Sequence, residues 1–422
     1  MSALARRRTR IRGKFEPAEN GGPGMRFIRG AAGYWAVGST FVARVPEQHF
    51  DAQGRPTPAV RELLAARDAA PATDSDLYGL TVLVTTRCNL ACPYCFQNTE
   101  LPQAPEGAIP LRIPGATVDD RKVADILAFT RDRMAELNKT AVKLMLFGGE
   151  PTMFPGYCLK LLEGCRPLGL TGASMISNGT LFDAAGAIEM ERAGLEWVQI
   201  SLDGDAADHD RSRITLGGRG TFATILRNVE AASARTALKW RLRVNISRES
   251  IDGVQTLIDR LGDRLDTGRF MLKLALIQDV GIGYQKSVRH SAELAKRVGE
   301  LYLHAMDAGF TVAPPRAAPC LFCDAVGGTT GAVVNSDGTL YSCCHSAGQD
   351  GYDVGTVTAG YHREPVVRER WVMCGYGAEP NTDKAAERLH ADIVDAIVLD
   401  RLHATGSLAA ATASQFALMD PA

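Results

Sequence analysis

The sequence lacks any long apolar segment. Its 422 residues contain neither an apolar run of about 18 residues nor the apolar core of a signal peptide. We therefore expect no membrane-spanning helix and a cytoplasmic, reducing setting. In that setting the ten cysteines are expected to be metal ligands or buried thiols rather than disulfides.

The sequence also lacks an excess of either charge. Its 47 lysines and arginines nearly balance 48 aspartates and glutamates, for a formal net charge of −1. Proteins that bind nucleic acids by neutralising phosphates carry a basic excess, so that class is not expected. With 45% hydrophobic residues, the chain can bury the cores of two or three domains. The arginine-rich residues 1–25 are expected to be a disordered tail, with a transit peptide as the alternative.

Three cysteines form a C-x3-C-x2-C group, Cys88, Cys92 and Cys95. They directly follow an apolar, β-branched run at 80–85, which predicts a buried parallel strand. Three thiolates can hold three irons of a [4Fe–4S] cluster and leave the fourth iron open to bind a small molecule. The alternatives are a zinc site, although zinc usually takes four protein ligands, and buried cysteines without a metal.

This cysteine spacing resembles the signature of the radical S-adenosylmethionine (SAM) enzymes. In that family the open iron binds the amino and carboxylate groups of SAM, and an electron from the cluster cleaves SAM to methionine and a 5′-deoxyadenosyl radical. The resemblance implies SAM, this [4Fe–4S] cluster and an electron donor such as flavodoxin or ferredoxin. Gly148, Gly149 and Glu150 resemble the family's GGE motif, in which the glutamate binds the SAM amino group.

The same resemblance implies further residues of a SAM pocket. Ser177, Asn178 and Ser201 follow or end two predicted strands, and in relatives such strand ends line the pocket. Tyr94 resembles the aromatic residue whose backbone contacts the adenine. Arg213 lies in a stretch that resembles the peptide-modifying branch, and its guanidinium can pair with a carboxylate of SAM or of the substrate. Alternatively, Ser177, Asn178 and Ser201 are ordinary turn residues. For Arg213 the alternative is a role in helix capping or in a salt bridge.

The chain alternates predicted strands and helices between residues 77 and 312. Six runs predict parallel strands, which are too few for a closed eight-stranded barrel. They fit the α/β fold of the radical SAM family, an open, partial (β/α)6 barrel. The six runs are 80–85, 142–147, 173–177, 197–202, 242–246 and 270–275. Thr117 is expected to cap the first helix after the cysteine group.

Smaller units are expected on both sides of the barrel. Residues 26–76 predict a β/α element, with a strand or a hairpin bent at Gly38 and a helix at 59–66. This element either caps the barrel or docks a peptide by strand addition. Residues 313–375 are expected to form an auxiliary iron–sulfur domain, and residues 376–422 a helix and a tail.

A second cysteine group lies in the auxiliary segment, and Asp337-Gly338 between two apolar runs predicts a hairpin there. The pattern resembles the start of a SPASM or twitch domain, which holds auxiliary clusters. A full SPASM domain has enough cysteines for two clusters, whereas this segment has only five, so we expect one auxiliary [4Fe–4S] cluster. Its expected ligands are Cys320, Cys323, Cys343 and Cys374. Cys344 is an alternative ligand, and a zinc knuckle is the alternative to a cluster. Outside this segment, Cys158 and Cys165 are expected to be buried thiols.

The resemblance implies abstraction of a hydrogen from a substrate C–H bond, and an auxiliary cluster favours a net oxidative outcome. The main hypothesis is a maturase that installs a crosslink or another oxidative modification on a ribosomally made precursor peptide. The alternatives are a small-molecule radical dehydrogenase or epimerase, and an iron–sulfur scaffold or sensor without catalysis. Asp279 is the expected catalytic base, with Lys273 and Gln278 as the other candidates.

Overall fold

The structure is a computed structural model that contains a ten-stranded sheet and a separate three-stranded sheet. It describes residues 25–39, 41–68, 76–97, 113–278, 284–315, 326–372 and 384–416. None of the helices in these ranges is both long enough and apolar enough to cross a membrane.

The N-terminal element is a three-stranded antiparallel sheet followed by a helix. The strands are β1 Arg26–Gly30, β2 Gly33–Val37 and β3 Val42–Val45, and the helix is α1 Pro58–Asp68. β2 and β3 pair as a hairpin around Gly38, which is one of the two predicted arrangements. The sequence pattern does not predict β1, because Ile28 is its only buried residue and two of its five residues are arginines.

Six parallel strands form the centre of the ten-stranded sheet and pair in chain order. They are β4 Leu77–Thr85, β5 Ala141–Gly148, β6 Leu170–Ser177, β7 Trp197–Leu202, β8 Lys239–Ile246 and β9 Phe270–Leu276. All six predicted strands are therefore present, and the predicted α/β class with a partial (β/α)6 barrel is confirmed. Because the strands are parallel, their carboxyl ends lie at one edge of the sheet.

The auxiliary segment adds four short strands to the other side of β4. They are β10 Gly331–Val334, β11 Thr339–Tyr341, β12 Gly355–Thr356 and β13 Gly360–Tyr361. β10 runs parallel to β4, and a Cβ on Gly331 would lie only 2.4 Å from Gly79 O, so a glycine permits this close pairing. β10 and β11 form the hairpin predicted at Asp337-Gly338, where Gly338 has a φ of +88°. The hairpin thus extends the barrel sheet; the proposed domain boundaries remain predictions.

Seven helices pack against the six parallel strands. They are α2 Asp120–Glu136, α3 Pro155–Cys165, α4 Ala184–Ala193, α5 Ala206–Ser212, α6 Phe222–Ser233, α7 Val254–Gly262 and α8 Ala292–Asp307. The main hydrophobic core lies between these helices and one face of the sheet. We call the opposite face the inner face; its apolar residues form a cluster of their own around Leu83 and Phe147.

The predicted cap of α2 is wrong. The cap is Asp119, whose carboxylate accepts a hydrogen bond of 2.7 Å from Lys122 N. Thr117 instead shares a 2.8 Å hydrogen bond with the hydroxyl of Thr85 and pairs with that residue in an isolated bridge. The segment before α2 therefore returns along the end of β4 before the helix begins.

The C-terminal helices connect the barrel to the N-terminal sheet. They are α9 Glu364–Arg370, α10 Lys384–Ala404 and α11 Leu408–Phe416. α10 packs on α8 and on β1. Trp35 Nε1 donates to Asp400 Oδ1 (2.8 Å), and Arg26 forms ion pairs with Asp392 (2.6 Å) and Asp395 (2.9 Å). Burial raises the pKa of Asp395 to about 6, although Arg26 acts in the opposite direction.

Candidate active site

The three-cysteine group forms a loop at the carboxyl end of β4. Cys95 N donates to Cys92 O (3.1 Å), which closes a tight turn between the second and third cysteines. Ala91 N donates to Ile214 O (2.9 Å), so the loop is held against the segment that follows α5. All three cysteines are partly exposed and none forms a disulfide.

The chemistry of the three thiols fits an iron–sulfur cluster. The pKa of Cys88 is raised to about 12, mainly by burial and next by the negative charge of Glu150. Burial also raises the pKa of Cys92. Metal cations supply the positive charge that allows such thiols to bind as thiolates. Among the described residues, no group of three or more His, Cys, Asp or Glu side chains could hold a single metal ion. A [4Fe–4S] cluster differs from a single ion because each thiolate binds a different iron.

Glu150 lies next to this loop, after β5. Gly149 N donates to Thr85 O (2.8 Å) and Glu150 N donates to Arg87 O (2.9 Å). A Cβ on Gly148 or on Gly149 would lie only 2.1 Å from one of these two carbonyl oxygens. The two glycines therefore allow the end of β5 to run directly against the start of the cysteine loop.

The carboxylate of Glu150 is fully buried and held by four hydrogen bonds. Oε1 accepts from Thr152 N (3.0 Å), Thr152 Oγ1 (2.6 Å) and Ser177 Oγ (2.9 Å), while Oε2 accepts from Asn178 N (2.6 Å). Burial raises the pKa of Glu150 in spite of these donors. All four of these donors are uncharged N–H or O–H groups, so the buried carboxylate fits an ammonium group of a ligand.

Asn178 connects Glu150 to the first cysteine. Its backbone N–H binds Glu150, and its side-chain Nδ2 donates to Asn89 Oδ1 (2.8 Å) and lies 3.8 Å from Cys88 Sγ. Ser177 uses its hydroxyl to bind Glu150. The structure thus brings Ser177 and Asn178 to the cysteine loop, while Ser201 lies two strands from β5, near the carboxyl end of β7.

Asp203 organises a buried polar network on the other side of the loop. The hydroxyl of Tyr94 donates to its carboxylate (2.6 and 2.8 Å), and Ser212 Oγ and Asn245 Nδ2 donate to it as well (2.7 and 3.1 Å). Arg213 Nη1 donates to the Tyr94 hydroxyl (3.0 Å) and lies 3.9 Å from Asp203. Because Tyr94 lies between Cys92 and Cys95, the network fixes this part of the loop to the ends of β7 and β8.

Arg213 keeps one donor available in this network. The residue is 7% exposed, and its Nε–H has no hydrogen-bond partner in the described structure. Burial alone would lower its pKa, but the neighbouring Tyr94, Cys92 and Asp203 raise the pKa overall. A buried guanidinium with an unpaired N–H fits a ligand carboxylate.

A cavity of about 280 Å³ opens beside the cysteine loop at the carboxyl ends of β7, β8 and β9. Pro93, Ile277 and Tyr284 supply its apolar walls, and Asp203 and Ser247 supply polar groups. The ring of Tyr94 meets that of Tyr284 edge-on, with 5.7 Å between ring centres. The cavity therefore has the mixed apolar and polar lining of a small-molecule site.

Sequence reasoning missed Asp203, Asn245 and Tyr284 as site residues. Asp203 follows β7 directly, and Asn245 is the penultimate residue of β8. The position of polar residues at the ends of parallel strands is the signal that could have found these two. No comparable local pattern distinguishes Tyr284, which reaches the site from the loop after β9.

Replacing Asp203 with asparagine is expected to destabilise the protein by about 3–5 kcal/mol, because Arg213 then remains buried without its carboxylate. Urea unfolding under anaerobic conditions measures the loss. Asp132→Asn is the matched control, since Asp132 forms an exposed ion pair with Arg131 and its loss is expected to cost about 0.5 kcal/mol or less. Equal effects of the two substitutions would show that the Asp203 network does not hold the loop.

Several predicted site residues lie outside the described residues. They are Asp279, Cys320, Cys323 and Cys374. Of the other two cysteines in that group, Cys343 is buried, while Cys344 is half-buried and packs against the apolar cluster of the inner face. Cys158 and Cys165 are fully buried in α3, as expected of structural thiols. Gln278 Nε2 lies 2.6 Å from His290 Nε2.

Residues 82–261 match the family model of the radical SAM superfamily, so this part of the chain is a radical SAM domain. The matched region begins in β4 and ends in α7, and it includes the cysteine loop, Glu150 and Asp203. Enzymes of this superfamily use a [4Fe–4S] cluster and SAM, in agreement with the cofactors that the sequence implies.

Individual relatives resemble about half of the chain. The chain is 28% identical over 207 residues to the probable GTP 3′,8-cyclase of Methanopyrus kandleri, an alignment that covers 49% of this chain and 58% of the relative. It is 30% identical over 225 residues to the PqqA peptide cyclase of Streptomyces rochei, with 53% of each chain covered. The chain thus spans little more than half the length of these relatives.

A solved structure resembles a larger part of the chain. Native anSMEcpe with bound AdoMet and Cp18Cys peptide has a TM-score of 0.57 and 17% sequence identity, and the match covers 78% of this chain and 98% of that one. At this level of identity the likeness shows a shared fold.

Proposed function

We propose that the chain is a radical SAM enzyme that modifies a ribosomally made precursor peptide, by a crosslink or another oxidative change. The observation that carries this proposal is the placement of a buried carboxylate, Glu150, next to a loop of three cysteines at the carboxyl edge of a parallel sheet. A reduced [4Fe–4S] cluster with bound SAM supplies reductive cleavage of SAM to methionine and a 5′-deoxyadenosyl radical.

The residues of this chain divide the binding task. Cys88, Cys92 and Cys95 would hold three irons of the cluster. Glu150 would bind the SAM ammonium group, because its carboxylate is buried and its four hydrogen-bond donors are all uncharged. Arg213 would bind the SAM carboxylate through its unpaired Nε–H.

The cavity beside Pro93 would receive the adenine of SAM. Ile277 and Tyr284 form a small apolar cluster with Tyr94, and flat apolar surfaces of this kind suit an aromatic base. Ser247 supplies a polar group in the same cavity.

Two comparisons support a peptide as the substrate. One relative is a PqqA peptide cyclase, and the solved structure of anSMEcpe holds both AdoMet and a peptide. We further propose one auxiliary [4Fe–4S] cluster, with the four ligands named above or with Cys344 in place of one of them, and Asp279 as the base. These assignments make the expected reaction a net oxidation of the peptide.

Coexpression with each short open reading frame adjacent to the gene, followed by mass analysis of the peptides, tests this proposal. A crosslink or a dehydrogenation is expected to lower the mass of one peptide by the loss of hydrogen. Iron counting on the anaerobically reconstituted protein should give about eight irons per chain with an auxiliary cluster and about four without it. Unchanged masses for every peptide would contradict the peptide assignment.

A small-molecule substrate is the second candidate, because one curated relative is a probable GTP 3′,8-cyclase. The chain would then act as a radical dehydrogenase or epimerase on a small molecule. Formation of 5′-deoxyadenosine that is stimulated by small molecules, but by no peptide, would favour this reading.

A further inference from the structure

Two loops contact the first half of the cysteine loop. Asn89 Nδ2 donates to Thr180 Oγ1 (2.8 Å), and Thr180 belongs to the loop between β6 and α4. Leu90 pairs with Thr215 in an isolated antiparallel bridge, and Thr215 belongs to the loop between α5 and α6. Because Asn89 and Leu90 directly follow Cys88, both loops lie beside the first of the three cysteines.

Each of these two loops exposes a leucine. Leu181 directly follows Thr180, Leu216 directly follows Thr215, and each leucine is 49% exposed. Only four large hydrophobic residues are exposed in the described part of the chain, and two of the four therefore lie beside the cysteine loop. Single exposed leucines are common on protein surfaces, but two on neighbouring loops beside a proposed redox centre indicate a contact site.

The loop after α5 also carries a cation. Arg219 N donates to Thr215 Oγ1 (3.0 Å), and Thr215 N donates to Arg219 O (2.9 Å), so these two residues close the turn that exposes Leu216. Arg219 is exposed, and it forms no ion pair with a carboxylate of the described residues. The turn therefore presents an apolar side chain and a positive charge side by side.

A second cation lies beside the other loop. Asn228 Nδ2 donates to Gly179 O and Thr180 O (both 3.0 Å), which fixes α6 against this loop. The preceding residue, Arg227, is exposed, and its guanidinium donates to the neutral hydroxyl of Thr224 (3.3 Å). Within the described ranges Arg227 has no carboxylate partner, so it keeps its charge for another molecule.

The carboxylates that neighbour these arginines have partners of their own. Asp183 and Asp210 accept hydrogen bonds from backbone N–H groups at the starts of α4 and α6. The starts of helices carry partial positive charge, which offsets these two carboxylates. Glu230, one helical turn after Arg227, forms an ion pair with Arg264. The surface beside the cysteine loop is therefore both apolar and cationic.

We propose that an acidic one-electron carrier protein docks on the surface formed by Leu181, Leu216, Arg219 and Arg227, which we call the entry surface. The inference rests on the proposed function. Each SAM that is cleaved to methionine and a 5′-deoxyadenosyl radical takes up one electron, and one reduced carrier is oxidised to supply it.

The position and chemistry of the entry surface suit this partner. Electron transfer weakens steeply with distance, so a carrier has to dock beside the cysteine loop. The two arginines attract an acidic surface over a distance and orient it, which raises the rate of association. The two leucines add a small apolar contact, and a small contact is typical of transient redox complexes.

Charge reversal on the entry surface tests this inference, with a flavodoxin and a ferredoxin as the acidic carriers. Each reduced carrier is titrated into the reconstituted protein with SAM, and the formation of 5′-deoxyadenosine is measured. Arg219→Glu combined with Arg227→Glu is expected to raise the half-saturating carrier concentration at least about tenfold. Dithionite is a small reductant that needs no docking surface, so formation driven by dithionite should stay unchanged.

The matched control carries the same change of charge elsewhere. Arg235 lies just beyond the far end of α6, and Arg388 lies on α10; both are exposed. Arg235→Glu combined with Arg388→Glu should leave the half-saturating carrier concentration unchanged. Equal values for the entry-surface variant and this control would overturn the inference. Failure of both carriers to support cleavage by the unmodified protein, while dithionite supports it, would overturn it too.

Binding of the oxidised carrier provides a measurement that does not depend on activity. Calorimetric titration into the reconstituted protein should show an affinity that falls between about 50 and 200 mM NaCl, and the arginine variant should lose this dependence. Leu181→Gln combined with Leu216→Gln should weaken binding at both salt concentrations. Leu63→Gln is the control for the leucines, because Leu63 is exposed on α1.

Two other results would contradict the inference without touching the proposed function. If the leucine variant changes the oligomeric state but not the affinity for the carriers, the entry surface is a contact between copies of this chain. If the carriers bind all variants equally while dithionite still drives formation of 5′-deoxyadenosine, the carrier docks elsewhere. Only the absence of 5′-deoxyadenosine in the unmodified protein with dithionite would contradict the proposed function itself.

Discussion

Cys92→Ala is expected to lose the N-terminal cluster and the cleavage of SAM with it. The variant keeps only two of the three thiolates that would bind the cluster. Substitution of a residue that merely hydrogen-bonds to a metal ligand already costs about 10–100-fold in metal affinity or activity, so loss of a ligand should cost more. We therefore expect the iron content to fall by about four per chain. Formation of 5′-deoxyadenosine should fall by more than about 100-fold, as measured by chromatography after dithionite reduction.

Cys165→Ala is the matched control for this experiment. Cys165 is fully buried at the end of α3, and burial is the one cause that raises its pKa, to about 12. Its replacement removes a thiol of the same kind without touching the loop, so iron content and SAM cleavage should both remain. An unchanged iron content in Cys92→Ala would show that the loop does not hold a cluster.

Glu150→Gln is expected to weaken SAM binding strongly. The substitution keeps the shape of the side chain but removes the buried negative charge that would face the SAM ammonium group. Truncation of one partner in a buried charge pair costs about 2–5 kcal/mol, so the dissociation constant should rise by about 30-fold or more. Equilibrium binding of labelled SAM to the reconstituted protein measures the change.

A glutamate elsewhere on the barrel provides the comparison. Glu163 lies exposed on α3, and Glu163→Gln should leave the affinity for SAM unchanged. If Glu150→Gln binds SAM as tightly as Glu163→Gln does, Glu150 does not contact the ammonium group.

Local patterns predicted the barrel strands because each is a short apolar run with a turn or helix signal on either side. The run at 80–85 lies within β4, and all its residues are buried. The Asp337-Gly338 hairpin could also be predicted from the sequence. Tight hairpin turns often need a positive φ, which glycine adopts easily and which Gly338 has in the structure. The pairing of β10 with β4 could not be predicted from the sequence. It joins strands separated by about 250 residues, and no local sequence pattern indicates such a contact.

In the candidate site, too, the sequence predicted residues that belong to short motifs but not residues whose role depends on contacts with distant segments. The cysteine spacing and Glu150 could be identified from short motifs. Asp203 could not be ranked above other turn residues, because its importance comes from Tyr94, Arg213 and Asn245, which three different segments bring to it. The wrong cap for α2 has a simpler cause: both Thr117 and Asp119 suit a cap, and the pairing of Thr117 with the end of β4 decides between them.

The central claim is that the loop of Cys88, Cys92 and Cys95 holds a cluster that cleaves SAM. The most direct measurement is the amount of 5′-deoxyadenosine formed when anaerobically reconstituted protein is reduced with dithionite in the presence of SAM. We predict its formation by the unmodified protein and by Cys165→Ala, but not by Cys92→Ala. Intact SAM in the reactions of the unmodified protein and of Cys165→Ala, although both contain their iron, would contradict the account.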